Sequence, residues 1–240
     1  MESGAKIAVV AALEREVRPL VKGWRVVSGQ YEGRTFKFFK QDAVVLVCGG
    51  MGAPAARRAT EAIIQLYEPE VVISAGFAGA LQPGMKPGDL FTPETVIDAK
   101  DGSRVATGSG WGTLVSFDAV AGASQKAKLA RSYGAQAVDM EAAAVARGAE
   151  THGVRFAACK AISDASEFAM PAMERFTAAD GQFKTTWFLL YAALRPWWWR
   201  AVGQLARNSR LAARRLSAAL AAMKEQDAWQ AQPHPVGNLQ

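Results

Sequence analysis

Four short apolar runs constrain this chain more than any other feature. Lys6-Ile-Ala-Val-Val-Ala11, Ala43–Cys48, Val71–Ala75 and Phe156–Ile162 are almost unbroken in apolar residues. They are too short for buried helices and lack the alternation of a half-exposed strand, so they read as strands covered on both faces. Helical patterns fall between and around them, at about Glu14–Lys22, 54–67, Ser124–Tyr133 and Glu141–His152. This order predicts an α/β fold: a three-layer α/β/α sandwich around a mixed, largely parallel central sheet. Residues 24–30 and 33–39 read as a hairpin turning at Glu32-Gly33. Further strands are expected at Asp89–Asp98, 113–117 and Ala137–Asp139, while 99–113 shows little periodicity.

Composition narrows the class. At 240 residues and 50% hydrophobic the chain can bury a full core, which excludes a disordered protein or a disulfide scaffold. Cys48 and Cys159 lie within apolar runs and read as buried free thiols of a reducing compartment. With His152 and His234 the only histidines, neither a metal cluster nor a histidine-based triad is expected, and no cofactor is indicated. The run Ile7–Leu13 ends at Glu14-Arg15-Glu16 rather than at a cleavage site, and no segment has the length of a membrane span, so a cytoplasmic protein is expected. The formal charge of +6 is uneven: residues 195–240 carry seven basic side chains against Glu225 and Asp227, leaving the body close to neutral. The basic character belongs to the tail, and no nucleic-acid partner is expected.

Two glycine-rich stretches follow apolar runs. Gly50-Met-Gly52-Ala-Pro-Ala55 fits the dinucleotide fingerprint G-x-G-x-x-A, but the next strand ends in Ser74-Ala75 rather than in the acidic residue that would hold a ribose. A tight strand-to-helix turn is the alternative. Gly76-Phe77-Ala78-Gly79 reads as a second loop at the neighbouring strand end. Both point to one sheet edge, where open α/β sheets bind ligands. Carboxylates also cluster at strand ends: Glu16, Asp139 with Glu141, and Asp164. Together they could bind a diol, handle water and deliver a proton, since ionised carboxylates accept hydrogen bonds and protonated ones donate. Singly, each has a plainer reading: Glu16 as a helix cap, Met140 as core, Asp164 as an N-cap.

The motifs in order carry a resemblance. Ala137-Val-Asp-Met-Glu-Ala-Ala-Ala-Val-Ala146 resembles the V-E-M-E-A-x-A motif of the nucleoside phosphorylase superfamily, most closely its methylthioadenosine/S-adenosylhomocysteine nucleosidases. Lys160-Ala-Ile-Ser-Asp164 resembles their R-A-I-S-D, and Ile7–Val17 their opening strand and acidic loop. Val72–Leu81 with Pro87-Gly-Asp89 resembles their second glycine loop. The resemblance spans roughly residues 6–165. It implies that Asp164 acts as general acid toward the purine, oriented by Ser163. Glu141 would hold the ribose hydroxyls, Met140 would pack on the sugar, and Glu16 would position or deprotonate water. Gly76 and Phe77 would border the substrate, with Lys160 near the water site and Phe117, Val120 and Ala121 against the base.

Departures from the pattern shape the expected activity. Phe77 and Ser74 stand where phosphorylases carry phosphate ligands, yet Arg15, Arg18 and Lys160 leave phosphate open as a co-substrate. Lys160 replaces an arginine, and the stretch between 98 and 139 is shorter than in the nucleosidases, which opens the substrate's 5′ side. Residues 1–194 are expected to form the catalytic domain, 195–225 a basic amphipathic helical tail, and 226–240 a flexible C-terminus. On the tail, Trp198, Val202, Leu205, Leu216, Leu220 and Met223 share one face, Arg200, Arg207, Arg210 and Arg214 another, and Leu211 is the exception. Either this face packs on the body or on a second subunit, or 195–223 contacts the inner membrane surface peripherally. The open 5′ side and this tail resemble the hopanoid-associated phosphorylase branch, which implies a lipid-linked adenosine as one substrate. Cleavage of a soluble 5′-modified adenosine is the leading expectation, and a non-catalytic nucleoside-binding module is a further one. A homo-oligomer is expected by analogy.

Overall fold

The structure, a computed structural model, describes residues 6–168 and 199–225. The apolar stretch 183–194, Trp197, Trp198 and the expected C-terminal 226–240 segment lie outside the described residues.

The apolar runs become the centre of one mixed sheet. β1 (Ile7–Ala11) pairs in parallel with β4 (Val44–Cys48) on one side and β5 (Val71–Ala80) on the other. β2 (Arg25–Tyr31) and β3 (Arg34–Gln41) form the antiparallel hairpin beyond β4, and its turn at Glu32-Gly33 holds both residues at positive φ, as a two-residue primed turn requires. Past β5 follow β10 (Ala137–Asp139), β9 (Thr113–Ser116), β7 (Thr95–Asp98) and β8 (Arg104–Ala106). β11 (Arg155–Asp164) runs parallel to β5 along its other edge and also pairs with the two-residue β6 (Leu90–Phe91).

Strand alternation sorts side chains to two faces. Ala8, Val10, Val72 and Ala158 point to the layer of α2 (Ala53–Tyr67) and α4 (Ala142–Thr151). Val9, Ile73 and Ala157 point to the layer of α1 (Glu14–Val21) and the C-terminal helix α5 (Trp199–Glu225). Further along that second face, α3 (Ala123–Tyr133) sets Leu129 against Ile97, Val115 and Val138. The expected three-layer sandwich with its C-terminal helix is what forms.

Several local expectations need correction. The second glycine stretch is not a loop: β5 continues as strand through Gly76-Phe77-Ala78-Gly79 to Ala80, because β11 pairs along it and β10 takes up Gly79 and Ala80 at its end. The same pairing extends β11 through Ser163 to Asp164. The single strand expected over 89–98 is two pieces separated at Pro93, a residue that cannot donate to a ladder. β8 lies within the unpatterned 99–113 stretch, held by pairing to β7. Cys48 is half-buried rather than buried, whereas Cys159 is buried. Burial pushes both thiols up, to about 12 and about 11, so neither is a ready thiolate.

From Ala212 to Met223, α5 packs on the body. Ala212 and Leu216 are fully buried among Val9, Val17, Ile73 and Cys159, with Leu220 and Met223 at the same face. Leu211 is 44% exposed, yet it has a seat of its own: a Cβ on Gly88 would fall 2.8 Å from Leu211 Cγ, so the leucine lies across the glycine of the 86–89 turn. Replacing Leu216 by Ala should therefore lower unfolding free energy by about 2–5 kcal/mol in urea titration, the cost of a core cavity. A change near zero would mean that the helix does not sit on the body in solution.

Candidate active site

The strand ends and α5 enclose a cavity of about 680 Å³. Glu16, Asp139, Met140, Glu141, Ser163 and Asp164 all line it, as do Phe77, Val120 and Ala121. Gly76 and Lys160 lie just behind the wall, beside Glu16: a Cβ on Gly76 would fall 2.9 Å from Glu16 Oε2 and 4.0 Å from Lys160 Nζ. A side chain at 76 would crowd the Glu16 carboxylate. Phe117 is not among the lining residues: it packs on the cluster of Leu81, Ile97, Val115 and Ala121, while Ala119, Val120 and Ala121 form the cavity wall there.

Asp139 and Lys160 form the floor. Lys160 Nζ lies 2.8 Å from Asp139 Oδ2 and donates to Ser74 Oγ at 3.0 Å, with both charged side chains almost wholly buried. Asp139 Oδ1 accepts from Ser116 Oγ at 2.6 Å, and Oδ2 accepts from the Ala142 amide at 2.9 Å. Ser116 Oγ in turn accepts from the Ala143 amide at 2.9 Å. Side chains on β10 and β9 therefore cap α4, whose own N-cap residue, Glu141, makes no side-chain cap. That leaves Glu141 for the cavity. Its Oε1 accepts from the Gly52 amide at 2.7 Å, so the first glycine loop holds a carboxylate rather than a dinucleotide phosphate.

Two carboxylates sit in environments that resist their charge. Burial, then the neighbouring Glu141, raises Glu16 from 4.5 to about 8, against lowering by Arg15 and Lys160. Burial, then Asp139, raises Glu141 to about 7, with Lys160 and the Gly52 amide opposing. Burial works against the Lys160 ammonium, but Asp139 and Glu141 outweigh it and hold its pKa above the ordinary lysine value. Glu16 lines the cavity and does not cap α1, and its buried Oε2 has no hydrogen-bond partner among the described residues.

Asp164 has two neighbours. Ser163 Oγ donates to its Oδ1 at 2.5 Å, with the Ala78 carbonyl as an alternative acceptor at 3.3 Å. Lys126, from the first turn of α3, makes a buried ion pair with Oδ2 and donates to the Ala165 carbonyl at 2.7 Å. Sequence reasoning missed Lys126. In Gln125-Lys126-Ala-Lys128 it reads as one of two solvated lysines on a surface helix, and only the packing of α3 on the sheet separates them.

A family model described as the phosphorylase superfamily matches residues 6–121 and 111–185. The chain belongs to the phosphorylase superfamily. Among its superfamily relatives, the 5′-methylthioadenosine/S-adenosylhomocysteine nucleosidase of Actinobacillus succinogenes is 28% identical over 204 residues, covering 68% of this chain and 86% of that protein. The Staphylococcus aureus enzyme of the same name is 26% identical over 199 residues, covering 66% and 86%. The Neisseria meningitidis nucleosidase in complex with methylthio-immucillin-A superposes with a TM-score of 0.70 at 21% identity, covering 92% of this chain and 99% of that one. The Helicobacter pylori futalosine hydrolase superposes at 0.65 with 18% identity, covering 90% and 97%. These superpositions establish the superfamily fold.

Glu16 makes stability depend on pH. Below about 4.5 it is protonated in both folded and unfolded chains; between about 4.5 and 8 only the unfolded chain ionises, so stability falls across that window. Glu16→Gln should leave the unfolding free energy from urea titration near pH 4 unchanged and raise it at pH 8 by a few kcal/mol, at about 1.4 kcal/mol per pKa unit, with the midpoint moving in step. Equal midpoints at pH 8 would refute the buried, unpartnered placement.

Proposed function

We propose that this chain cleaves the N-glycosidic bond of a 5′-modified adenine nucleoside, releasing adenine, with water as the nucleophile. The observation that carries this reading is the meeting of Glu16, Glu141, Ser163 and Asp164 in one cavity, with a buried Glu16 oxygen left unpartnered. Bond breaking places positive charge on the sugar and negative charge on the base. Glu141 accepts hydrogen bonds from the ribose hydroxyls while its charge stabilises the cationic sugar. Met140 packs on the sugar, with Val120 and Ala121 against the base. Glu16 takes a proton from water as oxygen attacks C1′, and the purine leaves protonated at N7 by Asp164, which Ser163 orients. Water rather than phosphate is supported by Lys160, whose ammonium is engaged by Asp139 and Ser74 and balanced by the neighbouring Glu141 and Glu16.

A large apolar 5′ substituent, as on a lipid-linked adenosine, is supported by one further observation. Between α1 and α5 the cavity continues along Leu13, Pro19, Leu205 and Ala206 to a rim bearing Arg18, Lys22, Arg210 and Arg214. Such a mouth suits peripheral contact with an anionic membrane. The full chain should then co-sediment with anionic vesicles and not with neutral ones; recovery in the supernatant with both would end that reading.

Adenine should be released from methylthioadenosine, S-adenosylhomocysteine or a 5′-alkylated adenosine without phosphate. Asp164→Asn should lower kcat by about 10²–10⁴-fold. Adenine release only on adding phosphate would make the protein a phosphorylase. Because Glu141 and Glu16 must shed protons held up to about 7 and about 8, kcat/KM should rise from pH 6 to pH 8. A profile falling over that range would place the essential proton elsewhere.

A further inference from the structure

We propose that Lys126 supplies, through Asp164, the proton that leaves with the base. The inference rests on the functional reading above and adds a residue to it. Asp164 is 3% exposed, and donors already engage both of its oxygens: Ser163 Oγ at Oδ1 and Lys126 Nζ at Oδ2. A carboxylate so held is an acceptor and has no proton of its own to give. The reaction needs one at the base, and Nζ is the charged donor in contact.

The surroundings favour handing it over. Lys126 is 2% exposed, and its Nζ lies in direct hydrogen-bond contact with Asp164 Oδ2. Moving one proton from Nζ to Oδ2 along that contact turns an ammonium and a carboxylate into a neutral amine and a neutral acid. The Ala165 carbonyl, 2.7 Å from Nζ, holds the side chain before and after transfer. When the acid is formed, Ser163 Oγ can turn its hydrogen to the Ala78 carbonyl. β5 makes room for the pair: a Cβ on Gly79 would fall 3.1 Å from both Asp164 Oδ2 and Lys126 Cε.

The step balances. The C1′–N9 bond breaks and its electron pair stays on the purine. N7 gains the proton that Asp164 received from Lys126. The water oxygen bonds to C1′, and its released proton goes to Glu16. Lys126 ends neutral and Glu16 protonated, so the net charge of the site is unchanged; exchange with solvent resets both.

The test compares leaving groups. Wild type, Lys126→Met and Lys126→Arg are assayed on an adenine nucleoside and on the 4-nitrophenyl riboside with the same 5′ group, whose phenolate leaves without a proton. Lys126→Met should lose about 100-fold or more in kcat/KM on the nucleoside and stay within about threefold on the nitrophenyl riboside. Lys126→Arg keeps the buried charge, and so the fold, but does not release its protons, and should show the same selective loss. Wild-type-like nucleoside cleavage by Lys126→Arg would overturn the proposal in favour of a purely electrostatic role. Equal losses on both substrates would overturn it in favour of a structural one. A wild type that releases neither adenine nor nitrophenolate would overturn the functional reading itself, and this inference with it.

Discussion

The buried contact between Lys160 and Asp139 is the interaction on which the rest of the site depends. It joins β11 to β10, draws in β5 through Ser74 and β9 through Ser116, and caps α4 from below. Removing either partner would leave a charge in the core without compensation, a loss that buried pairs show as about 3–5 kcal/mol. Its electrostatic reach is as important as its geometry. Lys160 opposes the burial that raises Glu16 and Glu141 and limits how far they rise. Without that ammonium, both carboxylates would be held still more firmly in their neutral forms.

The cavity holds two separate ion pairs with different work. Lys160 with Asp139 is a fixed floor, with Asp139 at the cavity surface and Lys160 buried behind it. Lys126 with Asp164 faces the cavity, with a serine able to adjust to either protonation state of the aspartate. Glu16 lies beside Lys160 without a hydrogen bond to it, and carries a buried oxygen with no partner among the described residues. Such an atom costs stability in the folded chain, and an arrangement of that kind is usual where a site must keep a group ready for a reaction.

Much of this was legible beforehand, for definite reasons. The central strands were readable because burial on both faces leaves unbroken apolar runs. Glu16, Glu141 and Asp164 were readable because they follow those runs, and a strand end fixes where its next side chain goes. What escaped depended on distant partners. Gly76–Gly79 looks like a loop in isolation and becomes strand only because β11 and β10 pair along it. β8 has no pattern of its own and exists through β7. Phe117 sits close to Val120 in sequence but points into another cluster. Lys126 and Lys128 are near-identical neighbours on α3, and nothing local says which one the sheet will bury. Leu211 breaks the apolar stripe of α5 because its seat is a glycine turn more than a hundred residues earlier.

The position of α5 in the chain has a consequence for synthesis. Leu205, Ala206, Ser209, Arg210, Ala213 and Arg214 complete a cavity whose other walls are all in place by Asp164. During translation the sheet and its carboxylates can assemble while this side is still open to water. α5, once it emerges, seats Ala212 and Leu216 in a waiting apolar groove and adds its wall to the chamber. Polypeptides released early would carry every acidic group discussed above and still lack the wall that α5 supplies.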